Sequence, residues 1–260
     1  MSTRNRILAI LTVLLAPALL ASCATTQNPP DTSVANSPWR IVGRSVEGRP
    51  IKVATIGSGV SRVLIVGGIH GDEVEPAACI DTLCASIHDT RANATIRLFR
   101  DLNPDGSVAR SRGNARGVDL NRNWPASNFR PSAAHGASAL SEPESQLLHF
   151  EILSFRPDVI LIFHSIPHGP FVNFDGPAAE LADRFSEAAG RTDPRWHVRP
   201  SMGYQTRGSL GSWAGVDRGI PILTIELDRG HEPALAADSL TKGVRAVLLA
   251  VSEKPHPDSP

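Results

Sequence analysis

Short apolar runs separated by helical patterning dominate the chain. Val63-Leu64-Ile65-Val66 ends in Gly67-Gly68, and Val159-Ile160-Leu161-Ile162-Phe163 is apolar throughout, so both read as buried strands. Ile222-Leu223-Thr224-Ile225 is another, and Ile96-Arg97-Leu98-Phe99 is stopped by the turn-forming Asn103-Pro104-Asp105-Gly106. Ile41-Val42-Gly43 and Ile51-Lys52-Val53-Ala54-Thr55-Ile56 read as two strands joined through Gly48-Arg49-Pro50. Helical patterns cover residues 76–86, with Pro76 in the first turn, as well as 178–189 and 233–251. Ser141 opens a further helix, with Pro143 in its first turn and Glu144 completing a capping box. Residues 125–140 lack periodicity and predict a long surface loop. No internal repeat is present. Strands alternating with helices predict an α/β domain, a mixed and mostly buried β-sheet sandwiched by helices.

The first residues stand outside that pattern. Arg4 and Arg6 precede an apolar run over 7–21, the arrangement of a secretory signal. The run is shorter than the roughly 20 residues a spanning helix needs. It closes on Leu20-Ala21-Ser22-Cys23, which resembles a bacterial lipoprotein box. The expectation is therefore a signal peptide at 1–22, cleavage before Cys23, and lipid on Cys23 that attaches the protein to a membrane. An ordinary cleaved signal or an uncleaved anchor would share the same run. Thr, Asn, Ser and Pro then predominate, so Cys23 and a flexible tether fill 23–38. The folded domain is expected at 39–253, with a tail at 254–260. Ala24 after Cys23 leans by analogy toward the outer membrane, giving an exported, lipid-anchored, periplasmic protein.

Composition narrows the choice further. Of 260 residues, 41% are hydrophobic and 20% charged, which suits one globular domain. Lys plus Arg and Asp plus Glu each number 26, so no basic surplus points to nucleic acid, and a charged substrate must be met by local charges. A monomer or weak oligomer is expected. Cys79 and Cys84 sit roughly half a turn out of phase on one helix, which favours two buried thiols over a disulfide.

Candidate chemistry collects where strands end. In Gly67-Gly68-Ile69-His70-Gly71-Asp72-Glu73, directly after a buried strand, His70 and Glu73 form an H-x-x-E pair. Imidazole nitrogen and carboxylate oxygen both suit zinc, and the glycines let the turn bring them together. Alone, the pair could equally be a polar surface turn. His164, at the end of the strand from Val159, would emerge at the same sheet edge and complete a His₂Glu set, or else close a core strand as a satisfied histidine. Glu226, at the end of the strand 222–225, is placed as a general base or as a solvent-facing glutamate. Asn121 and Arg122 can grip a carboxylate, and Arg112 is a second cation able to stabilise an oxyanion. On the segment alone they are ordinary loop residues. Tyr204, the single tyrosine, lies in a Gly- and Ser-rich stretch suited to a mobile loop.

Together these motifs resemble the zinc carboxypeptidase family, specifically its murein peptide amidase branch, from about residue 48 to 230. The resemblance implies one zinc per chain, held by His70, Glu73 and His164. It further implies Glu226 as catalytic base, Arg112 polarising the scissile carbonyl, Asn121 and Arg122 on the terminal carboxylate, and Tyr204 closing over the substrate. The implied scissile bond is that between γ-D-glutamate and meso-diaminopimelate in murein peptides, which an exported enzyme would meet in the cell wall. Asn103-Pro104-Asp105-Gly106, Ser141-Glu142-Pro143-Glu144 and Asp175-Gly176-Pro177-Ala178 also look like that branch. Gln205-Thr206-Arg207 departs from it where prolines are expected, and Gly211 falls where ordinary carboxypeptidases place a specificity residue. Arg207 is therefore expected to contact the distal carboxylate of diaminopimelate. A deacylase of N-acyl amino acids, sharing the H-G-x-E start and the Asn-Arg pair, is the alternative enzyme; a wall-binding lipoprotein without activity is the alternative outside catalysis. His168 and His149 read as loop and half-buried helix residues, as does His88; His231, Glu232 and His256 carry no assignment.

Overall fold

The computed structural model describes residues 38–253, apart from 88, 89 and 91. The expected leader, Cys23, nearly all of the tether, the tail, His88 and His256 lie outside the described residues. The strands are β1 (Trp39–Arg44), β2 (Pro50–Ile56), β3 (Ser61–Val66), β4 (Ala94–Phe99), β5 (Val159–Ile166), β6 (Phe171–Asp175) and β7 (Ile222–Asp228). The helices are α1 (Val74–Ser86), α2 (Pro104–Ala109), α3 (Pro143–Phe155), α4 (Ala179–Gly190) and α5 (Pro233–Ser252), with a π-helical turn at Gly211–Val216.

All the strands join one sheet in the order β1-β2-β4-β3-β5-β7-β6. Its centre, β4-β3-β5-β7, is parallel, whereas β1, β2 and β6 pair antiparallel at the flanks. A parallel centre needs cover on both faces. On one face Ile80 and Leu83 of α1, Phe185 of α4 and Leu240 and Val244 of α5 pack on Ile65, Leu161 and Leu223. On the other, Leu148 and Ile152 of α3 join Trp124 and Trp213 over Leu64, Ile160 and Ile162. The alternation of Leu64 with Ile65 and of Ile160 with Leu161 feeds both layers from the same strands. The mixed sheet sandwiched by helices is thus the architecture the patterning predicts. Cys79 and Cys84 are free, buried thiols on α1. Among the described residues no helix is long and apolar enough to cross a membrane.

Two local expectations change. The capping box at Ser141 and Glu144 does not form: Ser141 donates instead to Glu142, and the buried Glu144 carboxylate accepts from the Val46 amide (3.0 Å) and Asn114 (3.1 Å). Tertiary partners outbid the local bond, and so α3 is tied to the turn after β1. The edge strand β6 was not among the expected elements. Its five residues mix apolar and polar positions directly after Gly169-Pro170, too short a run for periodicity to announce.

Candidate active site

Beyond β3 the chain turns through Gly67 to Ile69 and delivers His70. A β-carbon on Gly71 would overlap the backbone of Gly106, so the turn lies against α2 only because Gly71 has no side chain. Glu73 occupies the N-cap position of α1 yet makes no capping bond. Its carboxylate turns to two imidazoles instead: Oε1 lies 2.8 Å from His70 Nδ1, and Oε2 lies 2.9 Å from His164 Nδ1. The two Nδ1 atoms are 3.1 Å apart. One ligand atom from each of His70, Glu73 and His164 falls within 4.8 Å of the others, and all three residues are buried. His164 on β5 and Glu226 on β7 are paired in the parallel register, so the sheet itself sets Glu226 beside the cluster.

A second layer fixes the first. Asp119, which the sequence reading did not single out, holds His70 Nε2 at 3.0 Å, leaving Nδ1 free for a metal. The same carboxylate accepts from Arg112 Nε (2.9 Å) and the Asn121 amide (2.8 Å). Arg112 also reaches Glu73 at 3.4 Å and keeps nearly half its side chain exposed toward the cleft. The Asn121 side chain accepts from the Leu210 amide at 3.0 Å, so its Nδ2 faces His164 Nε2 at 3.3 Å.

Titration follows from these contacts. Burial pushes Glu73 up, but His164 and His70 outweigh it and hold the carboxyl well below the usual range. Asp119 is opposed by burial in the same way and drawn well down by His70, Arg112 and Arg122. Burial lowers His70, yet its bonds to Asp119 and Glu73 raise it overall. Glu226 is the exception. Burial raises it, and the histidines only partly offset that. The cluster is therefore arranged to hold positive charge, with one buried carboxylate across from it whose pKa burial raises.

The remaining expected residues divide. Arg122 and Tyr204 line the same cleft of about 260 Å³ as the cluster, with Tyr204 61% exposed at its surface. Arg207 does not. It is exposed, its nearest polar partner is Gln205 at 3.5 Å, and it is absent from the cleft wall. The expected contact of Arg207 with a diaminopimelate carboxylate is therefore not supplied by this arrangement, because the loop turns its side chain to solvent. Asp175 takes a place in the cleft that sequence alone did not assign. It ends β6 half-buried, has no hydrogen-bond or ion-pair partner among the described residues, and is raised by burial. A β-carbon on Gly211 would overlap its carboxylate. His168 sits in a loop with a left-handed backbone (φ 71°), and the half-buried His149 packs at a tilt against Trp213, ring centroids 4.9 Å apart. His231 is buried against Asp193 (3.1 Å).

Two imidazoles and one carboxylate in a polar cleft, with a further buried carboxylate opposite, define a metal-dependent hydrolase site. The chain belongs to the zinc carboxypeptidase family, whose model matches residues 37–236, and is by that membership a peptide hydrolase. It is 31% identical over 222 residues to murein peptide amidase A of Escherichia coli K12, covering 77% of this chain and 83% of that protein. The Vibrio campbellii protein of the same name is 28% identical over 233 residues, covering 82% and 87%. Among solved structures, the murein-tripeptide amidase of Escherichia coli O157 superposes with a TM-score of 0.63 at 26% identity, over 85% of this chain and 94% of that one. Carboxypeptidase A of Helicoverpa armigera shares the fold, with a TM-score of 0.70 at 21% identity over 82% of this chain and 68% of that one. Zinc is the metal the family implies, and the donor set fits it: two nitrogens, one carboxylate oxygen and a second-layer carboxylate on the far nitrogen of His70.

Proposed function

We propose that this protein removes meso-diaminopimelate from murein peptides by hydrolysing its amide bond to γ-D-glutamate. The observation that carries the substrate is the charge pattern at one end of the cleft. Asn121 and Arg122 suit the α-carboxylate of the leaving residue, while the unpartnered Asp175 suits a distal ammonium. A diaminopimelate residue presents both. The glycine at 211 leaves room for the Asp175 carboxylate in the cleft. The likeness to murein peptide amidases supports the same reading.

His70, Glu73 and His164 would hold zinc, which when bound supplies a Lewis acid for the scissile carbonyl and acidifies a water. The chain's own groups do the rest. Glu226, raised by burial, takes a proton from the attacking water and returns it to the departing amine. Arg112, braced by Asp119, turns its outer guanidinium nitrogens to the oxyanion. Asn121 and Arg122 fix the terminal carboxylate, and Tyr204 folds over the bound residue. Export and lipidation at Cys23 would place this chemistry at the cell wall, which labelled-palmitate incorporation lost in Cys23→Ala would test.

The deciding experiment is mass spectrometry of L-Ala-γ-D-Glu-meso-diaminopimelate incubated with the domain, with and without zinc. Zinc-dependent release of free diaminopimelate, lost in Glu226→Gln, is the expected result. Intact peptide in the presence of bound metal would refute the assignment.

A further inference from the structure

Register along β7 lays out the cleft from end to end. Across the β6–β7 pair, Ile222 faces Asp175 and Glu226 faces Phe171. Asp175 thus lies four residues before the proposed base, roughly 13 Å at the rise of a strand. Arg229, which also lines the cleft, follows β7 on the other side of Glu226. The two charged residues stand at opposite ends with Glu226 between them. If the leaving residue occupies the Asp175 end, the acyl group extends toward Arg229.

The backbone around Arg229 is firmly held and its guanidinium is not. The Arg229 amide donates to Ile166 (3.1 Å), and the Gly230 amide donates to Glu75 (2.9 Å), whose other oxygen accepts from Ser165 Oγ (2.6 Å). The side chain makes only long contacts, Nε to the Ser165 carbonyl at 3.4 Å and Nη2 to Asp72 at 3.5 Å, and is 41% exposed. Arg112, for comparison, is fixed to Asp119 at 2.9 Å. A guanidinium offers five donors in a planar fork, so Arg229 keeps most of its capacity for a carboxylate.

We propose that Arg229 receives a free carboxylate on the acyl side of the scissile bond. Resting on the murein reading, that group is the α-carboxylate of the γ-linked glutamyl residue, a few carbon atoms from the carbonyl under attack. A glutamyl residue linked through its α-carbonyl carries a carboxylate the same number of carbon atoms away, so the group Arg229 reads is the acyl-side charge itself. Arg229 is then the residue that selects a carboxylate on the acyl side, while Asp72 lies beside the guanidinium at the rim.

The test compares two synthetic tripeptides that differ only in an α-carboxylate or an α-carboxamide on the γ-glutamyl residue, each cleaved by the zinc-loaded protein. Wild type should favour the carboxylate by about 10- to 100-fold in kcat/KM, the range of a charge-assisted bond. In Arg229→Ala the ratio should collapse to about one, and Arg229→Lys should restore part of it. Equal cleavage of the two peptides by wild type would overturn the inference while leaving the murein reading intact. So would a preference that persists in Arg229→Ala, which would mark Arg229 as no more than the counter-charge of Asp72. Cleavage of neither peptide would remove both. The wild-type comparison needs no variant, so poor folding of Arg229→Ala could not shelter the idea.

Discussion

Replacing Asp119 by asparagine isolates the support beneath the metal site. The carboxylate accepts from His70 Nε2 at 3.0 Å, Arg112 Nε at 2.9 Å and the Asn121 amide at 2.8 Å. Asparagine has the same shape but only one acceptor oxygen, so its amide nitrogen must face either the imidazole or the guanidinium, donor against donor. One charge-assisted bond is then lost in a buried setting, about 1.5–3 kcal/mol. Carried into the metal, that corresponds to a loss of roughly 10- to 100-fold in zinc affinity, the usual scale for removing a carboxylate behind a ligating histidine. Competition against a fluorescent zinc chelator would measure it at fixed pH, with thermal unfolding of the metal-free variant as the control for folding. A folded Asp119→Asn protein whose zinc affinity stayed within about threefold of wild type would refute the idea that Asp119 orients His70.

Gly211→Ala would drive a β-carbon into the Asp175 carboxylate, so kcat/KM for diaminopimelate peptides should fall about tenfold or more, measured beside unchanged thermal stability. Arg207→Ala should leave the preference for diaminopimelate over lysine unchanged, since Arg207 faces solvent; a lost preference in matched peptide assays would contradict the placement of its loop. Glu73 and Asp119 have folded pKa values well below the ordinary carboxylate range, so the stability they contribute is full above about pH 4 and is lost as pH falls below it. The melting temperature of the metal-free protein should therefore drop as pH falls below about 4, and less steeply in Asp119→Asn. Glu226, whose pKa is raised, has the opposite sign, its contribution weakening as pH rises, and should only soften that trend.

Much of this was legible in the chain because it depends on local pattern. The apolar runs at Val63, Val159 and Ile222 became parallel strands of the sheet, and His70, His164 and Glu226 were found by asking what lies near their ends. Asp119, Asp175 and Arg229 were not, for a common reason. Each is placed by a neighbour from a distant segment: His70 for Asp119, Gly211 for Asp175, Ser165 for Arg229. Asp119 had one available signal, a carboxylate two residues before Asn121 near a histidine whose second nitrogen needs a partner. Arg207 illustrates the opposite case. A cation near the pocket in sequence was assigned to it, and the loop turned the side chain away. Glu144 shows local logic overruled outright, its capping bond displaced by partners from the β1 turn and the Asn114 loop.

The pairing of His164 with Glu226 across β5 and β7 has a further consequence. Their separation is dictated by the ladder of main-chain bonds that joins the two strands, not by adjustable side-chain reach. A slip of one residue in that ladder would carry Glu226 to the opposite face of the sheet, into the layer packed by α4 and α5. No half-competent arrangement lies between the two registers. Loss of activity on heating should accordingly coincide with unfolding of the central sheet, and heat-damaged preparations should be mixtures of fully active and dead molecules.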